Sequence, residues 1–366
     1  MFKSFYKGKK VLVTGHTGFK GSWLICWLLK LGAKVYGYSD SSRTYPSHFN
    51  LLEIENEIIH RTGDIRDLEK LKQFIIEVQP DVVFHLAAQA IVSSSYTNPL
   101  LTISTNIVGT ANLMESVRSL TKKTAVVLIT SDKCYENKEW IWGYKETDRL
   151  GGNDIYSSSK ASAELIIKSY LKSFFYESKN IFFGIARAGN VIGGGDWAKD
   201  RLVPDIYKAW AENKVVEIRS PYSTRPWQHV LEPLSGYLSL GQKLYDNKDL
   251  SEEPFNFGPS QNENKPVIEL VEKLSNIWNL KDNNLKFKII ENPMFKESKL
   301  LKLNCDKALT ILSWKANLDF SKTVQFVGNW YSSFYSKSDN VYNLTYNDIN
   351  KYEQIAKSNS IPWAND

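Results

Sequence analysis

The stretch VTGHTGFKG, residues 13–21, places glycines at positions 15, 18 and 21. It directly follows a short apolar run and opens a helical pattern, and this context predicts a dinucleotide-binding turn. Gly15 would permit the tight turn, Gly18 would let the backbone approach a pyrophosphate, and Gly21 would let helix and strand pack closely. The alternative is an ordinary strand-to-helix turn. The combination of strand, spacing and helix favours the dinucleotide.

Outward from this loop, short β-like runs alternate with helical patterns. The predicted strands cover residues 9–15, 33–38, 57–65, 81–88, 125–132 and 181–193, and the predicted helices cover Lys20–Leu31, Leu68–Val78, Asn98–Leu120 and Tyr156–Phe175. Such alternation, with nearly continuous apolar strands, predicts an α/β fold with a Rossmann-type doubly wound parallel sheet.

The pattern changes after about Gly189, where loops become longer and richer in Gly, Pro and Trp. Further helices are predicted at Glu232–Tyr245, Pro266–Trp278 and Asp319–Tyr335. We therefore predict a Rossmann domain over residues 1–189 and a smaller C-terminal substrate-binding lobe, mainly over residues 190–336, with some segments returning to the sheet. The polar residues 337–366 are expected to form a C-terminal surface extension.

Composition and charge are ordinary for a globular protein. Of 366 residues, 42% are hydrophobic and 23% charged, and the net charge of +6 is spread along the chain. The absence of a basic tract argues against nucleic acid, and the surplus suits an anionic small substrate. Cys26, Cys134 and Cys305 lie far apart, so we expect reduced thiols in a cytoplasmic protein and no metal site. We also expect no signal peptide and no membrane span.

The end of the second predicted strand bears on the choice of cofactor. It reads VYGYSDSSR, residues 35–43. Asp40 could bind the adenosine ribose and favour NAD, whereas Arg43 could meet a 2′-phosphate and favour NADP, and we favour NAD. Asp64, after the third strand, could accept a hydrogen bond from the adenine amino group or could cap the next helix.

The sequence YSSSK places Tyr156 and Lys160 four residues apart, on one face of a predicted helix. A tyrosine has a pKa of about 10, and a nearby cation lowers it. Lys160 and an oxidised nicotinamide would both act in this way on Tyr156. The pair therefore predicts a general base for a hydroxyl group, matched to hydride transfer.

The stretch ITSDKCYEN, residues 129–137, places two opposite charges at the end of an apolar strand. Asp132 and Lys133 could be a surface pair that closes the strand, or an acid and a base in a buried site. A lysine with an ordinary pKa of about 10.4 is almost fully charged at neutral pH. We hypothesise that the two titrate as a unit, with one proton on Asp132 and Lys133 neutral.

These motifs, together with HLAAQA at residues 85–90 and the Ser/Thr end of the fifth strand, resemble the extended short-chain dehydrogenase/reductase family. Within it, GHTGFKGSW, TSDKCYENKEW, RAGNVIGGGDW and RPWQHVLEPLSGY resemble the CDP-glucose 4,6-dehydratases, over roughly residues 8–320. The resemblance implies a Rossmann core, bound NAD, a nucleotide-sugar lobe and a homodimer or homotetramer. It also implies a role in deoxysugar supply for bacterial surface polysaccharide such as lipopolysaccharide.

The resemblance implies roles for five catalytic residues. Tyr156, supported by Lys160, would take the 4′-hydroxyl proton and Thr130 would bind the 4′-oxygen. Asp132 would protonate the leaving 6′-hydroxyl and Lys133 would remove the C5′ proton. The related dTDP-glucose dehydratases carry a glutamate in the place of Lys133. The expected cofactor-binding residues are Gly15, Thr17, Gly18, Phe19, Gly21, Asp40, Asp64, Ile65, Leu86, Ala87, Ala88, Gln89, Tyr156 and Lys160.

A diphosphate requires arginines or backbone amides. The candidate substrate-binding residues are Asn190, Arg201, Arg219 and Arg225, each arginine having the alternative of a surface ion pair. Trp197 and Trp227 are expected to pack in the core, and His229 to be a structural hydrogen-bonding residue. Trp140 and Trp142 could cover the sugar pocket or hold their loop in place. Oligomers would form through the helices Asn98–Leu120 and Tyr156–Phe175, with Leu165, Ile166 and Tyr170 as apolar candidates that could equally face the sheet.

Three alternatives remain open at the level of sequence. The first is another nucleotide-sugar 4,6-dehydratase, acting on a dTDP-, GDP- or UDP-sugar. The second is a nucleotide-sugar 4-epimerase, which would need Tyr156 and Lys160 but not the pair Asp132 and Lys133. The third is a dinucleotide-sensing regulator without turnover, which could dispense with Tyr156 or Lys160.

Overall fold

The computed structural model describes residues 1–41, 44–260, 263–280, 286–290 and 300–365. Its strands are β1 (Lys10–Thr14), β2 (Lys34–Ser39), β3 (Ile59–Thr62), β4 (Val82–His85), β5 (Thr124–Ile129), β6 (Ile181–Ala188), β7 (Val191–Ile192), β8 (Glu217–Ile218), β9 (Thr224–Pro226), β10 (Gln228–His229), β11 (Glu253–Phe257), β12 (Asn264–Pro266) and β13 (Lys288–Ile289). Seven of these strands form one sheet in the order β3-β2-β1-β4-β5-β6-β11, and the others pair in twos.

All neighbours in the seven-stranded sheet are parallel. Thr14 at the end of β1 pairs with Tyr38 of β2 on one side and with His85 of β4 on the other. The strand order therefore reverses at β1, which is the topological switch point of a doubly wound sheet. This confirms the predicted fold class and directs attention to the carboxyl ends of β1 and β4.

The α-helices are α1 (Phe19–Lys30), α2 (His48–Leu52), α3 (Leu68–Val78), α4 (Val92–Thr97), α5 (Pro99–Ile103), α6 (Gly109–Val117), α7 (Ile155–Tyr170), α8 (Leu202–Ala211), α9 (Leu231–Asp246), α10 (Val267–Trp278), α11 (Asp306–Leu312), α12 (Phe320–Tyr335) and α13 (Val341–Ser358). Carboxylates cap three of them: Asp67 accepts from Lys70 N, Asp154 from Ser157 N and Asp319 from Lys322 N. Such caps satisfy backbone N–H groups that a helix start leaves without partners.

The predicted helix Asn98–Leu120 is confirmed over residues 99–117, but it contains a π-helical turn. Pro99 begins α5, and a π-helical turn, Ser104–Val108, separates α5 from α6. Inside this turn the buried Asn106 amide donates to the carbonyl of Gln89 at 3.1 Å and to Ser159 Oγ at 2.9 Å. An extra residue in a helix is often found where a side chain is aimed at a functional site, and an amphipathic pattern alone does not reveal it.

Two apolar clusters cover the two faces of the sheet. Val11 and Val13 of β1 belong to one cluster, which includes α1 and α9, whereas Leu12 belongs to the other, which includes α3 and α6. Alternate strand residues point to opposite faces. Both faces are therefore buried, as a parallel sheet requires.

The expectation that residues 337–366 lie on the surface is wrong for much of the segment. Helix α13 buries Ile349, Tyr352 and Ala356, and Trp363 beyond it is also buried in the cluster that contains Trp27 of α1. Its buried positions recur every three or four residues within a polar sequence, which is the pattern of an amphipathic helix. The high polar content concealed that pattern.

Polar contacts also hold helix α13 against the rest of the protein. Glu353 accepts a hydrogen bond from Trp27 Nε1 at 2.8 Å and pairs with Lys30 at 2.5 Å. Tyr352 donates to Glu232 of α9 at 3.0 Å. The C-terminal helix is thus joined to α1 and α9, which lie directly behind the switch point.

Among the helices that the structure describes, none has the length and apolar character needed to cross a bilayer.

Candidate active site

The glycine loop is held tightly against the end of β4. Gly15 has φ +75°, and a Cβ there would approach Ala87 N to 2.7 Å. A Cβ on Gly21 would lie 2.1 Å from the carbonyl oxygen of Gly15. Both positions therefore require glycine, as predicted. Gly18 is exposed and is the N-cap of α1, so the first turn of this helix has no capping side chain and its N–H groups suit an anion.

The loop is also joined to the end of β2. Thr17 Oγ1 lies 2.8 Å from Ser39 Oγ and donates to the carbonyl of Asp40 at 3.3 Å. Asp40 thus follows β2 beside the glycine loop, where a ribose-binding carboxylate belongs. Arg43, the alternative partner for a 2′-phosphate, lies outside the described residues.

The structure rules out one of the two interpretations of Asp64. Helix α3 is capped by Asp67, so the N-cap interpretation of Asp64 is wrong. The Asp64 carboxylate instead pairs with Arg66 at 2.5 Å and accepts from Arg66 N at 2.8 Å. The neighbouring Ile65 is buried and would touch a Cβ at Gly109, so this turn is packed on α6. The adenine contact stays a prediction.

The segment after β4 lies against the glycine loop and the catalytic helix. Leu86 and Ala87 approach Gly15, and Leu86 N donates to the carbonyl of Thr14 at 3.1 Å. Gln89 is buried and donates to Thr102 Oγ1 at 2.8 Å, and its own N–H donates to Asn106 Oδ1 at 2.8 Å. These bonds fix the backbone of residues 86–89 at the switch point. The residues present therefore fit a dinucleotide.

Helix α7 carries Tyr156 and Lys160 on one face, and both side chains are buried. Burial raises the pKa of Tyr156 to about 12, while the Arg201 guanidinium and a hydrogen bond with Ser131 act in the opposite direction. Burial lowers the pKa of Lys160 to about 8. A nearby cation therefore does lower the pKa of Tyr156, but that cation is Arg201, and desolvation of the phenolate outweighs its effect in the protein alone.

The turn after β5 brings Ser131 and Asp132 to the tyrosine. Residues Asp132–Cys134 form a 3₁₀ turn that Ser131 begins, and the Ser131 hydroxyl donates to Asp132 Oδ1 at 3.0 Å. Asp132 is 4% exposed. Burial raises its pKa, with the charge of Lys133 as the largest opposing effect. The Lys133 amine lies 5.9 Å from the centre of the Tyr156 ring, so the surface-pair interpretation of Asp132 and Lys133 does not hold.

Thr130 has a different partner from the one predicted. Its hydroxyl donates to Glu164 Oε1 at 2.7 Å. The hydroxyl that contacts both Asp132 and Tyr156 belongs to Ser131. Both hydroxyls therefore reach α7, Thr130 at Glu164 and Ser131 at Tyr156.

Sequence reasoning missed Lys20, which lies between Gly18 and Gly21. Burial lowers its pKa to about 7, with repulsion from Arg201 and Lys160 in the same direction and attraction to Asp132 in the other. Its amine is 6.0 Å from the ring centre of Tyr237. The only signal in the sequence was a charged residue inside a glycine loop that packs closely on a sheet.

Arg201 is both an ion-pair partner and a site residue. It precedes α8, and its guanidinium pairs with the buried Asp196 at 2.7 Å, which raises the pKa of Arg201. Its charge also acts on Tyr156 and Lys20. Asp196 thus holds a cation whose charge acts on Tyr156, and the substrate contact of Arg201 stays a prediction.

The remaining substrate candidates occupy the rim or lie further away. Arg225 is in β9, and its neighbour Pro226 and Asp132 both lie within 4 Å of a Cβ built on Gly189. The backbone carbonyl of Asn190 accepts from Gln228 N at 3.3 Å, which joins the end of β6 to this strand region. Arg219 is exposed. Arg225 thus adjoins a residue that borders Asp132, and the substrate contacts of both arginines stay predictions.

The aromatic residues mostly pack. Trp197 contacts Trp330 and Phe334, and Trp227 is buried. The two exposed tryptophans of the loop after the catalytic turn, Trp140 and Trp142, lie together, and Trp140 stacks on the buried Tyr144 at 5.4 Å. This stacking favours a role in holding the loop.

His229 agrees with its prediction as a structural hydrogen-bonding residue. His229 is buried, accepts from Leu231 N at 3.4 Å and packs edge-on against Trp23. It is therefore a structural residue. Within the described ranges, no group of His, Cys, Asp and Glu side chains is arranged to hold a metal ion.

Comparison with known proteins adds independent evidence. The family model for GDP-mannose 4,6 dehydratase matches residues 12–327. The chain is 46% identical to CDP-glucose 4,6-dehydratase of Salmonella typhimurium over 341 residues, which is 92% of this chain and 94% of that protein.

Solved structures show the same fold at low identity. Epimerase Mth375 of Methanothermobacter thermautotrophicus has a TM-score of 0.78 at 24% identity, covering 92% of this chain and 97% of its own. The dTDP-glucose 4,6-dehydratase of Bacillus anthracis, solved with NAD, has a TM-score of 0.73 at 22% identity, covering 89% and 97%.

Proposed function

This chain belongs to the GDP-mannose 4,6 dehydratase family, and on that basis we propose that it converts CDP-glucose to CDP-4-keto-6-deoxyglucose with bound NAD. The observation that carries the proposal is the meeting of Asp132, Ser131 and Tyr156 at the carboxyl end of β5. An epimerase needs Tyr156 and Lys160, whereas an elimination also needs a further acid and base. Asp132 and Lys133 supply such a pair beside Tyr156.

The cofactor would be held by the glycine loop and the residues around the switch point. The N-terminus of α1 at Gly18 would bind the diphosphate, and Asp40 the adenosine ribose. Lys160, one helical turn from Tyr156, would face the nicotinamide ribose. NAD bound there supplies an acceptor for the C4′ hydride and later returns that hydride to C6′.

In the first half-reaction Tyr156 removes the proton of the 4′-hydroxyl as C4′ is oxidised to a ketone. Ser131 holds the 4′-oxygen, in place of the predicted Thr130, because Ser131 is the hydroxyl that contacts the tyrosine. The Arg201 cation favours the phenolate that burial disfavours. This arrangement gives Tyr156 a base strength that depends on its charged neighbours.

In the second half-reaction the ketone acidifies the C5′–H bond. Lys133 takes that proton, and Asp132 gives a proton to the 6′-hydroxyl, which leaves as water. A raised pKa keeps the proton on Asp132 nearer to neutral pH. When the hydride returns to C6′, Lys133 returns the proton to C5′. The proton that Tyr156 gained passes to Asp132, and Ser131 lies between them. Because the hydride taken from C4′ returns to C6′, the cycle is redox-neutral.

We assign the diphosphate of the sugar nucleotide to the basic groups on the other side of the pocket. Arg225 is the first candidate because β9 borders the Asp132 region, and Arg219 is the second. Asn190, at the junction of β6 and β10, is proposed to contact the substrate. Choice of the cytidine base is proposed from the similarity to the Salmonella enzyme.

An assay of the purified protein on CDP-, dTDP-, GDP- and UDP-glucose, in parallel, tests the proposal. We expect a 4-keto-6-deoxy product, detected by its absorbance after alkali treatment, from CDP-glucose above the other three. Formation of a C4′ epimer without water loss would favour the epimerase alternative. No product from any of the four sugars would refute dehydration.

We further propose that the protein forms a homo-oligomer through α5 to α7. Large apolar side chains are exposed on this face, including Leu100 (77%), Leu165 (54%) and Phe174 (53%). A free chain rarely leaves such side chains together in water.

A cytoplasmic location is proposed from the cysteines. Cys26, Cys134 and Cys305 are free, and the first two are buried. Unpaired thiols suit a reducing compartment.

A further inference from the structure

A buried ion pair lies beside the acid/base turn. Glu164 of α7 and Arg187 of β6 have fully buried side chains. Arg187 Nε donates to Glu164 Oε1 at 2.8 Å, and Arg187 Nη2 donates to Glu164 Oε2. Two charges are removed from water at such a place only at considerable cost, unless each is well hydrogen-bonded.

Each member of the pair holds one end of the turn. Glu164 Oε1 also accepts from Thr130 Oγ1 at 2.7 Å, and Arg187 Nη1 donates to Tyr135 Oη at 2.7 Å. Thr130 and Tyr135 flank the segment 131–134, which contains Ser131, Asp132 and Lys133. One ion pair therefore clamps both ends of the segment that carries the acid and the base.

The same pair is fixed to the helix of the catalytic tyrosine. Tyr156, Lys160 and Glu164 are spaced four residues apart on α7, so they lie on one helix face. Arg187 is anchored further through the carbonyl of Glu146 at 3.1 Å. The guanidinium of Arg187, a residue of β6, thus contacts both Tyr135 at the end of the turn and Glu164 of α7.

We propose that Glu164 and Arg187 are positioning residues that set the distance of the acid/base turn from Tyr156. The inference rests on the proposed dehydratase function, because only an elimination needs all three groups on one sugar. Displacement of a catalytic group by about 1 Å can cost about a hundredfold in rate. Burying the pair costs free energy of folding, and in return the pair preorganises the site for reaction.

Substitutions at the two ends of the clamp test this while leaving the ion pair intact. Thr130→Val removes the hydroxyl that reaches Glu164, and Tyr135→Phe removes the one that reaches Arg187. Thr130→Ser keeps the hydroxyl. The matched controls are Thr124→Val, at the other end of β5, where a buried hydroxyl donates to the carbonyl of Pro80, and Tyr6→Phe, whose buried hydroxyl donates to the carbonyl of Leu238.

We expect Thr130→Val and Tyr135→Phe each to lower kcat at least about tenfold, with KM changed less than about threefold. Thr130→Ser should recover most of kcat. The controls should lose similar thermal stability but keep kcat. Circular dichroism and Tm show whether each variant is folded. One folded variant of the two, Thr130→Val or Tyr135→Phe, is sufficient to test the positioning role.

The outcomes separate the two proposals. If wild-type protein shows no dehydratase activity on any nucleotide sugar, the proposed function fails. If wild-type protein turns over and either clamp variant keeps kcat within about twofold, the positioning role is overturned. Equal loss of kcat in the controls would likewise overturn it, because the effect would then be general destabilisation.

Discussion

The hydroxyls of the adjacent residues Thr130 and Ser131, after the end of β5, have different contacts. Thr130 donates to the buried Glu164, whereas Ser131 contacts Asp132 and Tyr156. The resemblance implies Thr130 as the residue that binds the 4′-oxygen, but local spacing does not show which of the two hydroxyls reaches Tyr156, because both contact α7. We therefore propose Ser131, rather than Thr130, as the residue that binds the 4′-oxygen.

Ser131→Ala should raise the pKa that governs the rise of kcat with pH. The Ser131 hydrogen bond lowers the pKa of Tyr156, so its loss moves that pKa up, by roughly one unit for a bond to a charged group. Activity at neutral pH then falls, and the pH at which kcat reaches half its maximum increases. Ser131→Thr, which keeps the hydroxyl, serves as control. An unchanged pH profile for the alanine variant would remove Ser131 from the mechanism.

Lys133→Met should abolish the exchange of the C5′ hydrogen with solvent deuterium when the 4-keto product is supplied. A general base contributes about a hundredfold to ten-thousandfold, and methionine keeps the length without the amine. Tyr156-dependent reduction of the cofactor should persist.

Lys138→Met, five residues further on, is the control, because Lys138 is exposed and pairs with Glu136. C5′ exchange at the wild-type rate in Lys133→Met would show that another group is the base.

The parts of the site that sequence predicts are those with short-range spacing. Tyr156 and Lys160 follow from a four-residue interval, and Asp132 from its place at a strand end. Lys20 and the Glu164–Arg187 pair depend on contacts between distant segments, such as Thr130 with Glu164. Periodicity carries no information about such contacts.

At the scale of elements, six of the seven strands of the main sheet and most of the long helices are predicted within a few residues, and α3 with its bounds, whereas β11 and the shorter helices α2, α4, α8 and α11 are not predicted. The misses have physical causes. The π-helical turn Ser104–Val108 arises where Asn106 meets Gln89 and Ser159, and α13 is amphipathic within a polar sequence. In both cases tertiary contacts outweigh local pattern.

Helix α13 carries a buried carboxyl that should make stability depend on pH. Asp348 is 6% exposed, and among the described residues its Oδ2 atom has no hydrogen-bond partner. Burial raises its pKa from 3.8 to about 7. Between these values the folded state binds more protons than the unfolded state, so the free energy of unfolding falls as pH rises, by up to about 4 kcal/mol.

Asp348→Asn should remove this dependence. We expect the variant to be more stable than wild type at pH values above about 7 and similar to it near pH 4, because asparagine does not ionise. Denaturant unfolding at several pH values measures the difference, with Asp249→Asn, at an exposed carboxylate, as control. Parallel pH curves for wild type and Asp348→Asn would contradict the assignment.

At the scale of the whole molecule, one apolar cluster joins the Rossmann sheet to the C-terminal helices. Trp27 of α1, Tyr237 of α9, Trp330 of α12 and Trp363 beyond α13 all belong to it. The predicted division near residue 190 stays a prediction, since composition changes there while the core continues. This shared core fixes the segments that surround the site relative to one another.

The oligomeric state is also a property of the whole molecule. Leu165 on α7 is 54% exposed and lies on the face proposed for self-association, whereas Leu309 on α11 is 50% exposed and lies outside it. A charge buried in an apolar interface without a partner is strongly unfavourable. Leu165→Asp should therefore shift the protein from oligomer to monomer in analytical ultracentrifugation, while Leu309→Asp should leave its mass unchanged. A monomeric wild type, or a Leu165→Asp variant of wild-type mass, would exclude this face as the interface.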